Sequence, residues 1–195
     1  MKRITVVFLL LLILLHVYPS SAFKNIKVIK VFDGDTILAE LDNGLRESIR
    51  FLGIDAPEAS TKRFGYVEYL GFAVLQYMEK LILNKRVDLK IQKQINGEIK
   101  RCRYGRVLAF VYINGLDVCR ELLVKGYAKV YRRYPSSCYR EFLSIEIKAR
   151  KNRIGIWNCE KRKKYYRNLY EFTRNIKLIP YFFIHDKPYL RQLLQ

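Results

Sequence analysis

A chain of 195 residues in which half the side chains are hydrophobic is long enough for one domain with a true core plus extensions, and this argues against a disordered polymer. Its formal charge of +19 directs attention to polyanionic partners, namely nucleic acid, anionic lipid or acidic polysaccharide, although a solvated basic surface would carry the same charge. Only two histidines, His16 and His185, and four cysteines without a Cys-x-x-Cys pair argue against a structural zinc site.

Residues 1–22 read as a secretory leader: a basic start, an apolar run from Val6 to Leu15, then small residues at Ser20 and Ala22. The run is shorter than the ~20 apolar residues of a bilayer span. The expectation is export with cleavage near Ala22; the alternative is an uncleaved membrane anchor, in which case the N-terminal segment would touch a membrane.

Between Asn25 and Ile54 the pattern is strand, turn, strand, turn, strand. "IKVIKVF" is apolar and β-branched, "TILAEL" alternates Ile37, Ala39 and Leu41 on one face, and "DNG" (Asp42 to Gly44) supplies a hairpin turn before "ESIRFLGI". Pro57 ends the extended run. From Val67 to Leu83 the apolar period changes to three and four, which predicts an amphipathic helix. "RVDLKI" and "RVLAFVYI" alternate again, with Asn96-Gly97 and Asn114-Gly115 as further turns. "CRELLVK" predicts a short helix ended by Gly126 in the C′ position, and Tyr139 to Asn152 a third helix stopped near Gly155. About five strands that dominate early, with three helices inserted later, predict an α+β fold built on a small barrel. The expected divisions are the leader (1–22), a barrel domain (23–159) and a basic aromatic extension (160–195).

The extension carries nine basic residues against three acids, and it interleaves Tyr165, Tyr166, Tyr170, Tyr181, Phe182 and Phe183. The favoured expectation is an added helix packed on the barrel; the alternative is an auxiliary surface for nucleic acid or membrane. Cys102, Cys119, Cys138 and Cys159 form an even set, which in an exported chain permits disulfides in any of three connectivities, free buried thiols being the other reading. The helix between Cys138 and Cys159 spans roughly 20 Å, which argues against a direct bridge between those two unless the chain doubles back after Trp157.

"VFDGDT" places Asp33 and Asp35 around one glycine in a strongly basic chain. Two close carboxylates repel unless a cation lies between them. Asp55 and Glu58 follow in "GIDAPE" beyond the next hairpin, and a three-stranded meander brings Asp35 and Asp55 together. Two carboxylates, a main-chain carbonyl and waters suit a hard divalent ion, calcium or magnesium. Arg50, five residues before Asp55, and Arg106 in "YGR" supply guanidinium groups of the kind that bind a phosphodiester and meet the charge of its transition state. A carboxylate free of the metal, Glu58, can activate water. Lys62 and Arg63, in the loop after Glu58, read either as part of a basic nucleic-acid groove or as solvated side chains.

With these residues in hand the chain resembles the staphylococcal nuclease (thermonuclease) family. The matching segments are "DGDT" (Asp33 to Thr36), "IRFLGIDAPE" (Ile49 to Glu58), "YGRVLAFVY" (Tyr104 to Tyr112), "LLVKGYAKVY" (Leu122 to Tyr131) and "ARKNRIGIW" (Ala149 to Trp157), in order, across Asn25 to Cys159. The resemblance implies a five-stranded OB-fold Greek-key barrel with three helices. It implies a monomeric hydrolase using one calcium ion, acting on single-stranded DNA and RNA and leaving 3′-phosphates, with no protein partner. Asp35 and Asp55 look like the calcium carboxylates, the main-chain carbonyl of Ala56 like a further ligand, and Asp33 like a nearby acid that shapes the site. Glu58 looks like the general base, Arg50 and Arg106 like the phosphate-binding pair, and Tyr104 and Tyr134 like the nucleotide-pocket tyrosines. Ala56 stands where the family often has Thr, Cys102 where an acid usually precedes the Tyr-Gly-Arg motif, and Arg132 where a second pocket tyrosine is typical. A non-catalytic OB-fold that only binds nucleic acid is the alternative class; a binding module has no reason to carry acids that repel phosphate in the absence of metal.

Overall fold

The longest strand, β1 (Ala22–Asp33), forms the corner on which the barrel turns. Its first half pairs antiparallel with β5 (Arg86–Ile91), from Ala22 opposite Lys90 to Lys27 opposite Arg86; its second half pairs with β2 (Thr36–Glu40), from Lys27 opposite Glu40 to Asp33 opposite Thr36. Register shifts at Phe23/Ile26, Val28/Lys30 and Val31/Asp33 mark bulges, the device that bends one strand across two sheets. This computed structural model describes residues 22–61, 65–134 and 136–175. Residues 1–21 of the sequence-predicted leader, Lys62 and Arg63, and the extension beyond Asn175 lie outside the described residues.

β3 (Arg46–Phe51) adds to β2, and β6 (Val107–Ile113) adds to β5. A short parallel ladder then joins β3 to β6, Ile49 opposite Val107 and Phe51 opposite Ala109, and closes the five strands into an OB-fold barrel. The two-residue strands β4 (Ile54–Asp55) and β8 (Lys129–Val130) pair with each other, and β7 (Leu116–Asp117) returns on β6. The alternation read from "TILAEL" and "RVDLKI" sends Ile37, Ala39, Val87, Leu89 and Ile91 inward, where they meet Ile49, Phe51, Val107, Ala109 and Val111.

Helix α1 (Gly71–Ile82) packs Val74, Met78 and Ile82 on this core, α2 (Val118–Val124) adds Leu122 and Leu123, and α3 (Tyr139–Lys151) adds Phe142. Asp117 caps α2 by accepting a hydrogen bond from the Arg120 N–H at 3.1 Å, and Gly126 ends it with φ +61°, as the sequence predicts. A fourth helix, α4 (Cys159–Asn175), follows the single 3₁₀ turn Gly155–Trp157. All four cysteines are free thiols.

Local differences have local causes. The helix read from Val67 starts at Gly71, because Leu70 before it is left-handed with φ +67°. Asn114-Gly115 forms the expected two-residue turn with both residues at positive φ, whereas at Asn43-Gly44 and Asn96-Gly97 only the glycine is left-handed and the loop is three residues long. Cys102 to Arg106 closes in the same three-residue way, with Gly105 left-handed, which puts Tyr104 at a hairpin tip.

Candidate active site

The turn between β1 and β2 starts the site. Asp33 Oδ1 accepts from the Asp35 N–H at 2.9 Å, folding the turn back on itself. Gly34 is required by close approach and not by φ: a Cβ there would stand 2.5 Å from Val74 Cγ1 of α1 and 2.6 Å from Ala56 Cβ. The turn is therefore wedged between α1 and the chain that follows β4, and this holds Asp35 against Ala56. Asp35 is only 4% exposed, and its Oδ2 accepts from the Ala56 N–H at 2.7 Å. Its Oδ1 accepts from Thr36 Oγ1 at 3.0 Å and pairs with the guanidinium of Arg50.

Arg50 lies on β3 directly opposite Thr36. Its Nη2 donates to Asp55 Oδ1 at 3.1 Å and to the Ile54 carbonyl at 3.3 Å. Asp55 Oδ2 faces Lys129 Nζ at 3.0 Å, a partner brought over by the β4–β8 ladder. Arg106 reaches the same centre from the other side, its Nη1 donating to Thr36 Oγ1 at 3.2 Å and its Nε to Cys102 Sγ at 3.4 Å. One threonine hydroxyl thus links Asp35 to Arg106. Burial pushes the Asp33 carboxyl above its ordinary value against the pull of Arg50, Thr36 and Arg106. Burial also holds the Arg50 guanidinium below its ordinary value, opposed by Asp55 and Asp33.

Glu58 leaves the strand end two residues after Ala56. Its main chain is tied twice to Glu68: the Glu58 N–H donates to Glu68 Oε2 at 3.1 Å, and the Glu68 N–H donates to the Glu58 carbonyl at 3.0 Å. Tyr104 is 66% exposed, with Arg103 and Arg106 over its ring at 4.6 and 5.4 Å. Tyr134, 67% exposed, stands beside Tyr131 and Arg133 after β8. Arg132, at the position of the missing pocket tyrosine, pairs with buried Glu146 of α3 at 2.7 Å.

Asp33, Asp35, Arg50, Asp55, Ala56 and Arg106 therefore meet around one turn, with Glu58 on the segment leaving it. Lys62 and Arg63 fall outside the described residues. Thr36, Lys129 and Glu68 belong to the same network without having been assigned a role from sequence; Thr36 and Lys129 join it through partners some seventy residues away, Arg106 and Asp55. Cys102, read from sequence as a thiol and as a departure from the family pattern, joins it through Arg106. Among the described residues no group of three or more acidic, histidine or cysteine side chains is arranged to hold a metal ion by itself.

The sequence that builds this barrel has known relatives. The family model described as "Staphylococcal nuclease homologue" matches residues 48–159. An uncharacterized protein of Methanocaldococcus jannaschii is 36% identical over 151 residues, covering 68% of this chain and 70% of its own. The endonuclease YncB of Bacillus subtilis is 32% identical over 145 residues, covering 73% of this chain and 66% of its own. The thermonuclease of Staphylococcus hyicus is 33% identical over 139 residues, covering 69% of this chain and 76% of its own. The chain belongs to the staphylococcal nuclease family of phosphodiester hydrolases.

Proposed function

We propose that this protein is an exported, calcium-assisted nuclease that cleaves single-stranded DNA and RNA and leaves 3′-phosphates. The observation that supports this reading most is the convergence of Asp35 Oδ1 and Asp55 Oδ1 on the single guanidinium of Arg50. Two carboxylates, one from the β1–β2 turn and one from β4, that reach one cationic group are close enough to share a cation. With the Ala56 carbonyl they form an all-oxygen donor set that fits a hard ion with several waters. Calcium, when bound there, would neutralise the acids and polarise the phosphate oxygens.

The chain's own residues supply the rest. Arg50 and Arg106 bind the non-bridging oxygens, and their planar forks meet the charge that grows on phosphorus. Glu58 takes a proton from water as its oxygen bonds to phosphorus. The bond from phosphorus to the 5′-oxygen breaks, and Arg106 stabilises that leaving oxygen. Tyr104, exposed beside Arg106, offers a ring on which a base can stack. The net charge, +19 for the whole chain and 19 − 2 = +17 once the leader with Lys2 and Arg3 is cut, raises the local concentration of the polyanion. The leader, cut near Ala22, would deliver the enzyme outside the cytoplasm as a monomer.

Denatured DNA incubated with calcium, then with chelator, tests the reading. Cleavage with calcium, lost on chelation and restored by calcium but poorly by magnesium, with 3′-phosphate ends, is expected. Tight binding without cleavage would make the protein a nucleic-acid-binding barrel instead, and equal rates with magnesium would overturn the calcium assignment. The mass of the protein recovered from culture medium checks the leader.

A further inference from the structure

Helix α4 begins where the family match ends, at Cys159. Its residues Arg162, Tyr165, Tyr166, Leu169 and Tyr170 recur at three and four and form one face, while Lys161, Lys163, Lys164 and Arg167 are exposed. The aromatic face does not point to solvent. Tyr166 is 4% exposed and stands edge-on to Tyr66 at 6.1 Å, and Tyr165 lies 5.6 Å from Tyr69. The hydroxyls are directed too: Tyr165 Oη donates to the Val67 carbonyl at 2.8 Å, and Tyr166 Oη accepts from the Tyr69 N–H at 3.3 Å. These two bonds grip the main chain on either side of Glu68.

Glu68 is the residue tied at both its main chain and its carboxylate to Glu58. The fit is close on the other flank as well, since a Cβ on Gly71 would lie 2.3 Å from the Glu58 carbonyl oxygen. A contiguous chain of contacts thus runs from α4 through Val67, Glu68 and Tyr69 to Glu58.

We infer that Tyr165 and Tyr166 are positioning residues for Glu58, so that the added helix sets the placement of the general base from outside the matched domain. The inference rests on Glu58 being that base. Without α4, segment 65–70 would leave the two rings Tyr66 and Tyr69 without their cover and would be free to sample other paths between Glu58 and α1. A base displaced by a fraction of an ångström loses its alignment with the attacking water while the arginines still bind phosphate. The effect therefore falls on kcat and not on KM.

The test is a cycle in the full chain with calcium and denatured DNA. Tyr165→Phe with Tyr166→Phe keeps the rings and removes both hydroxyls; kcat is expected to fall about tenfold with KM and Tm held. In the Glu58→Gln background, already slow, the same pair is expected to cause no further fall, because there is no base left to place. Equal losses in both backgrounds, or an unchanged kcat, would overturn the positioning role while leaving Glu58 as base. A Glu58→Gln enzyme with full kcat would overturn the base itself and the inference with it. Should the double variant not fold, Tyr165→Phe alone carries the same cycle through its bond to Val67.

Discussion

Arg50 stands between two carboxylates from different parts of the barrel, paired with Asp35 at the β1–β2 turn and 3.1 Å from Asp55 on β4. The arginine thus holds the acids together in the fold and offers the fork that a phosphate needs. Lysine would keep the charge and lose the geometry. Arg50→Lys and Arg106→Lys are each expected to lower kcat by about 10²–10³, with far smaller losses in substrate binding. Melting temperature measured beside single-turnover cleavage checks this. A folded variant with unimpaired chemistry would reduce Arg50 to a strut.

Cys102 and Cys119 should behave as opposites. Burial acts to raise the Cys102 thiol, but hydrogen bonds from the Arg106 side chain and from the main-chain N–H groups of Tyr104 and Arg106 outweigh it, and the net shift is downward. Cys119 is wholly buried, and burial pushes its thiol far up. Iodoacetamide near neutral pH is expected to label Cys102 well before Cys119, as read by peptide mass. Labelling should also cost activity, because it crowds Arg106, and Cys102→Ser should abolish that loss.

Glu146 is fully buried in α3, yet it is fully satisfied. It accepts from the Val130 N–H at 2.5 Å and from Arg132 and Arg150, both at 2.7 Å. Glu146→Ala strands the Val130 amide and is expected to cost about 2–3 kcal/mol in urea denaturation. Glu146→Gln keeps one oxygen for that amide and should cost less. Val130 lies beside Lys129 on β8, the strand that pairs with Asp55, so substrate turnover in the alanine variant should fall as well.

Glu47 and Arg101 give the fold a measurable pH signature. The two N–H bonds from Arg101, at 2.7 and 2.8 Å, hold the Glu47 carboxyl below the usual carboxylate range. A depressed folded value means the stabilisation is complete above the unfolded value and is lost as pH falls through the folded one. The pair is partly exposed, so its worth is under about 1 kcal/mol. The stability difference between wild type and Glu47→Gln is expected to hold at neutral pH and to vanish as pH falls below the ordinary glutamate value and through the depressed folded one.

Short-range pattern revealed the barrel strands, because each alternates against one core, and the meander between Asp33 and Asp55 already implied that the acids meet. What could not be read locally depends on distant partners. Glu146 shares the buried face of α3 with Phe142 and Ala149, and only the approach of Val130, Arg132 and Arg150 makes its burial tolerable. Lys129 acquires its place at Asp55 through a ladder of two residues, too short to leave a periodic trace. The tyrosines of α4 carry the same letters whether they stack on bases or on Tyr66 and Tyr69, and those packing partners lie about a hundred residues earlier.

The parallel closure of β3 on β6 also orders events in time. Arg50 is on β3, and Arg106 immediately precedes β6, so the two guanidinium groups come together only when strands far apart in sequence have met. Such non-local pairing is slow to form, since the intervening loop must be closed before any contact rewards it. A chain still emerging from synthesis holds the first arginine without the second. Cutting power therefore arrives with the last turn of the barrel, and a half-made molecule carries the charge of a nuclease but none of its bite.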